Sequence, residues 1–358
     1  MPSLKEIKGR INSISSTLAI TSAMKMVAAA KLQKAQMAIQ NMLPYERRLH
    51  SMLIDLMGAM NISAAASEDG SVRGSGSAER GFDQSGDRLS LSNRHDLAGM
   101  DGAYSLMAQR EVRKVAIVAF ASNSSLCGAF NSNVIREATA VINEYRASGL
   151  GDADITVYSV GRKMAEAMKK LGFPSPADFT KMSDSPSYDA ASALAQELFD
   201  GFVSGRFDKV ELVYNHYKST SSQPTTRQTY LPLSLADATA DLQAGKIADS
   251  ASESDTNRGA EPVGAPVVRQ GSPTTEDLIV EPSKEELIAT LLPKVIRLRI
   301  FTTLLDSAAA EHAARTVAMQ LATDNGNDLL QELTLEYNKG RQQKITSEIL
   351  DLVGGSMQ

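Results

Sequence analysis

The stretch from Phe301 to Val353 is the feature that most constrains how this chain can fold. It contains no proline and a single glycine before Gly340, and it is dense in alanine, leucine and charged residues. Good helix formers fill it, so we predict one helix of about 53 residues, roughly 80 Å long. Such a helix exceeds the diameter of an ordinary domain, and its apolar stripe therefore requires a partner of similar length.

The N-terminal segment supplies that partner. Ser3 followed by Glu6 resembles a capping box that opens a helix. Apolar or small residues then recur at alternating spacings of four and three, the period of a coiled-coil seam. The seam positions are Ile7, Ile11, Ile14, Leu18, Thr21, Ala28, Leu32, Ala35, Ile39 and Met42, and the apolar pattern continues through Leu49, Leu53, Leu56 and Met60.

Lys25 interrupts this seam, at the position between Thr21 and Ala28. Met24 and Met26 flank it, and two interpretations are open. One is a local phase slip in which Met24 fills the core, a role that methionine often takes. The other is an exposed patch that contacts another molecule. Periodicity alone favours the phase slip.

Two prolines lie inside the long helical segments. Pro44 falls within the N-terminal one, and Pro293 follows a second helix start at Pro282 and Ser283. Proline removes one backbone donor and its ring clashes with the preceding turn, so we expect each helix to kink or break there.

The middle of the chain alternates strand and helix patterns. The predicted strands are 112–121, 155–160, 210–217 and 227–233, and the predicted helices are 133–148, 162–171 and 190–203. This alternation favours a parallel or mixed sheet of the doubly wound, Rossmann-like type. The fold class is therefore α/β plus a long coiled coil.

Two low-complexity stretches, 62–109 and 243–282, separate the α/β region from the helices. They are rich in serine, glycine and mixed charge, and such segments bury too little apolar surface to order themselves, so we predict flexible insertions. The remaining units are an N-terminal long helix (1–61), an α/β domain (110–242) and a C-terminal long helix (283–358).

Charge and cysteine content narrow the class of protein. The 358 residues carry a net charge of −5, so nothing in the overall charge suggests nucleic acid as a partner. The N-terminal helix is basic and the C-terminal stretch acidic, which suits two helices lying side by side. A single cysteine and no run of eighteen apolar residues predict a soluble protein of a reducing cytoplasm.

Few residues form a pattern expected of catalysis. Cys127 follows a strand and precedes a helix, where a nucleophile can be activated, but no histidine is near it in sequence. The competing interpretation is a small buried residue in a tight turn with Gly128. Gly161 after a strand is weak evidence for a phosphate site, because both phosphate-loop motifs are absent. Metal-ligand spacings do not occur, and we expect no cofactor, no direct nucleotide binding and no catalytic residue.

Four segments resemble the gamma subunit family of F-type ATP synthase. They are SLKEIKGRINSISSTLAITSAMKMVAAAKLQKAQ at the start, SSLCGAFNSN from Ser124, YNHYKSTSSQPTTRQTYLPL in the last strand pair, and EHAARTVAMQLATDNGNDLLQELTLEYNKGRQQKITSEILDLVGG from Glu311. The likeness covers both terminal helices and most of the middle, and the terminal motifs are highly specific.

The resemblance implies an architecture and a function. The terminal helices would form an antiparallel coiled coil that turns inside a ring of three alpha and three beta subunits. The α/β domain would lie at its foot with the epsilon subunit and the membrane c-ring. The chain would be a non-catalytic part of the complex that couples ion flow to ATP synthesis and hydrolysis, peripheral on the cytoplasmic face of the cell inner membrane. The alternative is an α/β enzyme with a Cys127 nucleophile and a helical oligomerisation stalk.

The resemblance also implies particular contact residues. Met24 and Lys25 would face a moving lever of a beta subunit, which favours the contact interpretation of Lys25. Polar contacts to beta-subunit loops would come from Arg341, Gln342, Thr346 and Glu348. An apolar tip seated in a collar would be formed by Ile349, Leu352 and Val353. Seven alanines between 308 and 322 would let the two helices approach closely.

Overall fold

The fold is seen in a computed structural model that describes residues 3–68, 106, 110–233 and 284–355. The backbone alone is described at 57–68, 284–285, 351 and 354–355. The low-complexity stretch 243–282 lies outside the described residues, and so does most of 62–109.

The elements follow one another as two very long helices around an α/β unit. In chain order they are α1 (Leu4–Glu68), β1 (Val115–Phe120), α2 (Phe130–Ala147), β2 (Ile155–Val160), α3 (Arg162–Lys170), α4 (Thr180–Asp184), α5 (Tyr188–Val203), β3 (Lys209–Asn215), β4 (Thr225–Leu231) and α6 (Lys284–Gly355). A short 3₁₀ turn (Asp152–Asp154) precedes β2. This arrangement confirms the predicted fold class.

The two terminal helices are longer than their apolar patterns predict. Helix α1 has 65 residues and α6 has 72, so they extend about 100 and 110 Å. They pack against each other in antiparallel orientation, with Leu4 at the start of α1 facing Gly340 near the end of α6. We call this pair of helices the shaft.

Both prolines lie inside unbroken helices, so the predicted alternative of a break is wrong at each. Pro44 is exposed, as is Gln40, whose carbonyl loses its partner and can bond water instead. Pro293 lies beside Leu292 and Val295, which are buried in the core of the α/β unit. Tertiary packing on both sides of each proline offsets the cost of one missing hydrogen bond.

The seam of α1 is buried as its spacing predicts, but to different depths along the shaft. Ala28 and Leu32 are 2% and 7% exposed, and Leu53 is 2% exposed. Ile14 and Leu18, nearer the N-terminus, are only half-buried. Nearer the α/β unit the shaft packs on that unit as well as on itself, whereas two helices alone leave residues such as Ile14 and Leu18 partly exposed.

A four-stranded mixed sheet forms the α/β unit, in the order β2-β1-β3-β4. Strand β1 runs parallel to both β2 and β3, and β4 is antiparallel to β3. The six residues of β1 are all buried, as expected for a central strand covered on both faces.

The foot of the shaft and the sheet share one hydrophobic core. Phe120 of β1 belongs to a cluster that includes Leu53 of α1 and Ile300 of α6. The opposite face of the sheet packs on α2 and α3 through a second cluster. Burying each such large side chain contributes about 1.5–3 kcal/mol, so the shaft is built into the domain.

Leu106 extends this core beyond the compositional boundary of the α/β unit. It is fully buried in the same cluster, and its carbonyl accepts a hydrogen bond from the Leu233 amide. The residue lies inside the stretch whose overall composition predicts an insertion.

Candidate functional site

The upper shaft, residues 4–27 of α1 and 320–340 of α6, is held in one register by small residues. Leu18 packs into the notch at Gly326, and Leu4 lies against Gly340. The two leucines are two heptads apart, as are the two glycines, so the pairing keeps the same phase between them.

A polar layer crosses the seam in the middle of the upper shaft. Thr323 Oγ1 donates to Thr21 Oγ1 at 3.1 Å. Lys25 Nζ donates to Gln320 Oε1 at 2.6 Å, and Gln320 Nε2 donates to the Asp324 carboxylate at 2.8 and 2.9 Å. The basic charge of α1 is thereby connected through an amide to the acidic charge of α6.

Lys25 is therefore a seam residue, which argues against the phase-slip interpretation. Thr21 is half-buried and Ala28 is buried, so the heptad phase is the same before and after Lys25. The lysine is itself half-buried and reaches the facing helix, and Met24 beside it is also half-buried. An ammonium group has three donors, so the bond to Gln320 leaves two of them.

Large apolar side chains are exposed on the outer faces of the upper shaft. Ile20 and Met26 are 61% and 62% exposed on α1, and Leu321 is 57% exposed on α6. Exposed apolar surface of this extent on a slender element is typical of an interaction surface. Ile20 and Leu321 were not identified from the sequence. The sequence feature that could have identified them is a large apolar residue at a helix position outside the seam.

Helix α6 continues beyond the start of α1. Because α1 begins at Leu4, opposite Gly340, residues 341–355 extend about 22 Å further as a helix that α1 does not flank. We call these residues the tip segment. Every residue from 341 to 350 is exposed, and Leu352 and Val353 are 75% and 53% exposed.

The structure brings seven of the nine predicted contact residues together on the tip segment: Arg341, Gln342, Thr346, Glu348, Ile349, Leu352 and Val353. Met24 and Lys25 lie elsewhere, beside Gln320, which is about 30 Å from Arg341 along α6. The predicted contact residues therefore form two separate surfaces on the shaft.

The alanine-rich turns of α6 face two neighbours. Ala309 and Ala313 pack on Leu32 and Ala35 of α1, as the prediction of close helix approach requires. Ala310, with Ala314 beside it, packs instead on Cys127 and Phe130. The prediction named one neighbour, and the second is the loop between β1 and α2.

Arg315, which forms a buried ion pair within α6, also ties that loop to the helix. Arg315 Nη1 donates to Glu311 Oε1 at 2.6 Å, and Arg315 Nη2 donates to Ser124 Oγ at 2.7 Å. Burial raises the pKa of the Glu311 carboxyl above its ordinary value, while Arg315 acts in the opposite direction. Removing either partner would leave a buried group unsatisfied.

Cys127 lies in the interior of the same loop, and its surroundings argue against a nucleophile. It is 1% exposed. Its Sγ accepts a hydrogen bond from Asn131 Nδ2 at 3.2 Å and lies 3.7 Å from Ser122 Oγ. A thiol packed in this way has no approach for a substrate, which supports the interpretation as a small buried residue in a tight turn.

The turn at Gly161 is also structural. A Cβ at this position would stand 2.0 Å from the carbonyl oxygen of Ala121, so glycine is required by close approach of two strand ends. The amide of Arg162, which could otherwise receive a phosphate, already donates to Asn123 Oδ1 at 2.8 Å.

The buried carboxylate of Glu211 already has its hydrogen-bond donors within the protein, as the Arg162 amide has its acceptor. It accepts from Tyr145 Oη at 2.6 Å and Arg227 Nε at 2.7 Å, and it pairs with Lys209 Nζ at 2.6 Å. Burial acts to raise its pKa, but these donors hold the pKa below the ordinary value. Such a satisfied group stabilises the β3–β4 pair.

Within residues 3–68, 106, 110–233 and 284–355, no three histidine, cysteine or acidic side chains come together in a way that could hold a metal ion. The same ranges contain no helix with the length and hydropathy of a membrane span.

Comparison with known proteins identifies the family. A family model described as ATP synthase matches residues 3–357. The chain is 47% identical to the ATP synthase gamma chain of Phocaeicola vulgatus and 46% identical to that of Bacteroides thetaiotaomicron, each over 100% of both chains. The chain belongs to the ATP synthase gamma chain family. This confirms the resemblance carried by the four sequence segments and the predicted function as the gamma subunit in the central stalk.

A solved structure shares the fold with this member of the gamma chain family. A chain of the Euglena gracilis mitochondrial ATP synthase rotor, in rotational state 1, is 18% identical. The TM-score is 0.51, and the match covers 96% of this chain and 98% of that one. At this identity the similarity concerns the fold alone: two long helices around an α/β unit.

Membership of the gamma chain family makes the chain part of an ATP synthase complex, a membrane-associated machine. The two exposed surfaces of the shaft therefore belong to a subunit of a larger assembly, in which other subunits can cover them.

Proposed function

We propose that this chain is the non-catalytic rotating shaft that couples ion flow through a membrane c-ring to ATP synthesis at beta subunits. The observation that carries the proposal is the tip segment, which projects about 22 Å beyond α1 with Ile349, Leu352 and Val353 exposed at its end. Such an apolar end requires a collar, which a ring of three alpha and three beta subunits would provide.

The mechanism follows from the shape of the shaft. Two antiparallel helices have no threefold symmetry, so three identical beta subunits around them meet three different surfaces. Each contact then favours one conformation of a beta subunit over another, in proportion to its differential affinity. Turning the shaft changes which site is closed, and ATP is released from one site as ADP and phosphate enter another.

The two surfaces would act at different heights of the ring. Lys25 and Met24 would meet the moving lever of a beta subunit, with the two remaining donors of Lys25 available. Exposed apolar residues beside them, Ile20 and Met26, would cover the same lever. Higher up, the tip segment would offer Arg341, Gln342, Thr346 and Glu348 to beta-subunit loops; all four are exposed.

The α/β unit would serve as the foot of the rotor. It would bind the epsilon subunit and the c-ring, peripheral to the inner membrane on its cytoplasmic side. The shared core of the shaft and the sheet supports this role, because torque applied to the shaft reaches the foot through packed side chains.

The alternative of an α/β enzyme with a Cys127 nucleophile has no support from the geometry. The thiol is buried against Phe130 and Ala310.

A rotation assay tests the proposal. In a Cys127→Ser background, Lys170→Cys places a probe on α3, where Lys170 is exposed. With the alpha and beta subunits immobilised, ATP is expected to drive rotation of the probe in one direction, with one copy of this chain per ring. A stationary probe in an assembly that hydrolyses ATP, or more than one copy per ring, would contradict it.

A further inference from the structure

The loop between β3 and β4, residues 216–224, contacts both helices of the shaft. Its base is closed by a hydrogen bond from the His216 amide to the Pro224 carbonyl at 2.9 Å. At its turn, Ser219 and Ser222 exchange backbone hydrogen bonds of 3.1 and 3.2 Å. The loop is therefore internally braced, and we call it the hairpin loop.

Two residues of the hairpin loop are hydrogen-bonded to one carboxylate of α6, that of Asp306. Asp306 Oδ1 accepts from the Tyr217 amide at 2.8 Å, and Asp306 Oδ2 lies 2.6 Å from His216 Nδ1. Two bonds from consecutive residues to the two oxygens of one carboxylate fix both the position and the orientation of the loop on α6.

The same loop binds α1 through the side chain of Tyr217. Gln36 Nε2 donates to Tyr217 Oη at 2.6 Å. Below the hydroxyl, the ring packs on the cluster that joins Leu32 of α1 to Ala313 of α6. It also packs on the cluster of Cys127, Phe130 and Ala310.

Tyr217 thus lies where three bodies meet: α1, α6 and the loop that follows β1. Its height along the shaft is significant. Below it, Ile300 and the rest of the foot are embedded in the sheet core, whereas above it the contacts of Lys25 and Thr21 join only the two helices to each other.

Near the height of Tyr217, the bond from Arg315 to Ser124 already holds α6 to the domain, and the tyrosine adds a contact to α1. A twist applied to the upper shaft is therefore resisted by the domain on both helices at this level.

We infer that Tyr217 is a positioning residue for torque transfer, a wedge that locks both helices of the shaft to the α/β unit. The inference rests on the proposed rotary function. Alanines at 309, 310 and 313 leave the room that the ring fills, and each is fully buried. Without the ring, those small side chains cannot close the gap between shaft and domain, because core packing relaxes only in part.

The experiment measures coupling in the assembled complex. Inverted membrane vesicles carrying the whole ATP synthase are assayed for ATP hydrolysis and for ions pumped, and the ratio is taken per assembled complex. We expect Tyr217→Ala to lower this ratio about threefold, because packing and a hydrogen bond are both lost. Tyr217→Phe keeps the ring and loses only the bond to Gln36, so its reduction is smaller.

Lys218→Ala is the matched control. Lys218 follows Tyr217 in the same loop and is exposed, so this variant is expected to pump as the wild type does. A residue that merely stabilised the fold would lower the number of assembled complexes and leave the ratio unchanged.

The outcomes separate the two proposals. An assembled Tyr217→Ala complex with the wild-type ratio overturns this inference. Should Tyr217→Ala fail to assemble, Tyr217→Phe decides, and a wild-type ratio there overturns the inference as well. Hydrolysis without any pumping by the wild-type complex would instead contradict the rotary function itself.

Discussion

Leu18 fills the notch that Gly326 leaves on the facing helix, so closely that a Cβ at residue 326 would stand 2.7 Å from Leu18 Cδ2. Gly9 on α1 has nothing within 4 Å of the same position. Glycine inside a helix costs roughly 0.5–1 kcal/mol relative to alanine, so both sites carry that cost. Only at Gly326 does close packing oppose its removal.

The first prediction compares alanine at these two glycines. Gly9→Ala is expected to raise the free energy of unfolding by up to about 1 kcal/mol. Gly326→Ala gains the same propensity but forces Leu18 off its position, which costs about 1–3 kcal/mol. Denaturant unfolding of the isolated chain, followed by circular dichroism, measures the difference. Equal stabilisation by both substitutions would show that the notch does not set the register.

The second prediction concerns the accessibility of Cys127. The thiol is 1% exposed, so its reaction with a disulfide reagent requires local opening. We expect labelling about 100-fold slower than for Lys170→Cys in a Cys127→Ser background, because core segments open rarely. Time-resolved absorbance of the released thiolate measures both rates.

Catalysis gives an independent check of the same residue. Cys127→Ser should leave ATP hydrolysis by the reconstituted head intact. Complete loss of hydrolysis in a folded, assembled variant would restore the nucleophile interpretation.

The third prediction is a pH dependence of the stability of the fold, to which two histidines contribute in opposite directions. The hydrogen bond to Asp306 raises the pKa of His216 above its ordinary value, against a smaller opposing effect of burial and Lys218. Its stabilising contribution is complete below a pH of about 6.5, the unfolded value, and is lost as pH rises through the folded value. His216→Asn should therefore lower the melting temperature more at pH 6 than at pH 9.

His312 is expected to act in the other direction. Burial, together with the nearby positive charges of Arg315 and Lys31, lowers its pKa to about 4. The neutral form is favoured in the folded chain, so its contribution to stability falls as pH decreases from about 6.5 toward 4. His312→Asn should flatten the acid side of the melting profile, whereas an unchanged acid side would contradict the assignment.

Much of the shaft could be predicted from sequence because its signal is periodic. Heptad spacing identified the seam of α1, and its described positions are buried or half-buried in the structure. The register could not be predicted, because a heptad pattern repeats and fits any shift of seven. Contacts such as Lys25 with Gln320 and Leu18 with Gly326 exist only once that register is fixed.

Features that depend on tertiary packing could not be predicted either, because the contacts that decide them are distant in sequence. Pro44 and Pro293 carry a strong local signal for a break, yet buried neighbours on each side keep the helices continuous. Tyr217 carries no local signal at all, since it lies in a polar loop, and its role depends on helices that are distant in sequence.

The fourth prediction separates the tip segment from the stability of the shaft. Residues 341–350 are exposed and α1 does not flank them, so truncation after Gly340 removes little buried surface. The melting temperature of the isolated chain should change by no more than about 2 °C. Leu333→Ala is the contrasting variant. Leu333 is 8% exposed in the upper shaft, so replacing its side chain by alanine should lower the free energy of unfolding by about 2–3 kcal/mol.

In the assembled enzyme the order of the two effects should reverse. The truncated chain loses Arg341, Gln342, Thr346 and Glu348 together with the apolar end, so ATP-driven ion pumping should fall well below that of Leu333→Ala, measured per assembled complex in inverted vesicles. Leu333→Ala keeps every one of those contacts and should pump near the wild-type rate once assembled. If the truncated chain pumped as well as Leu333→Ala, the tip segment would be a passive extension, and coupling would have to reside in the surface around Lys25.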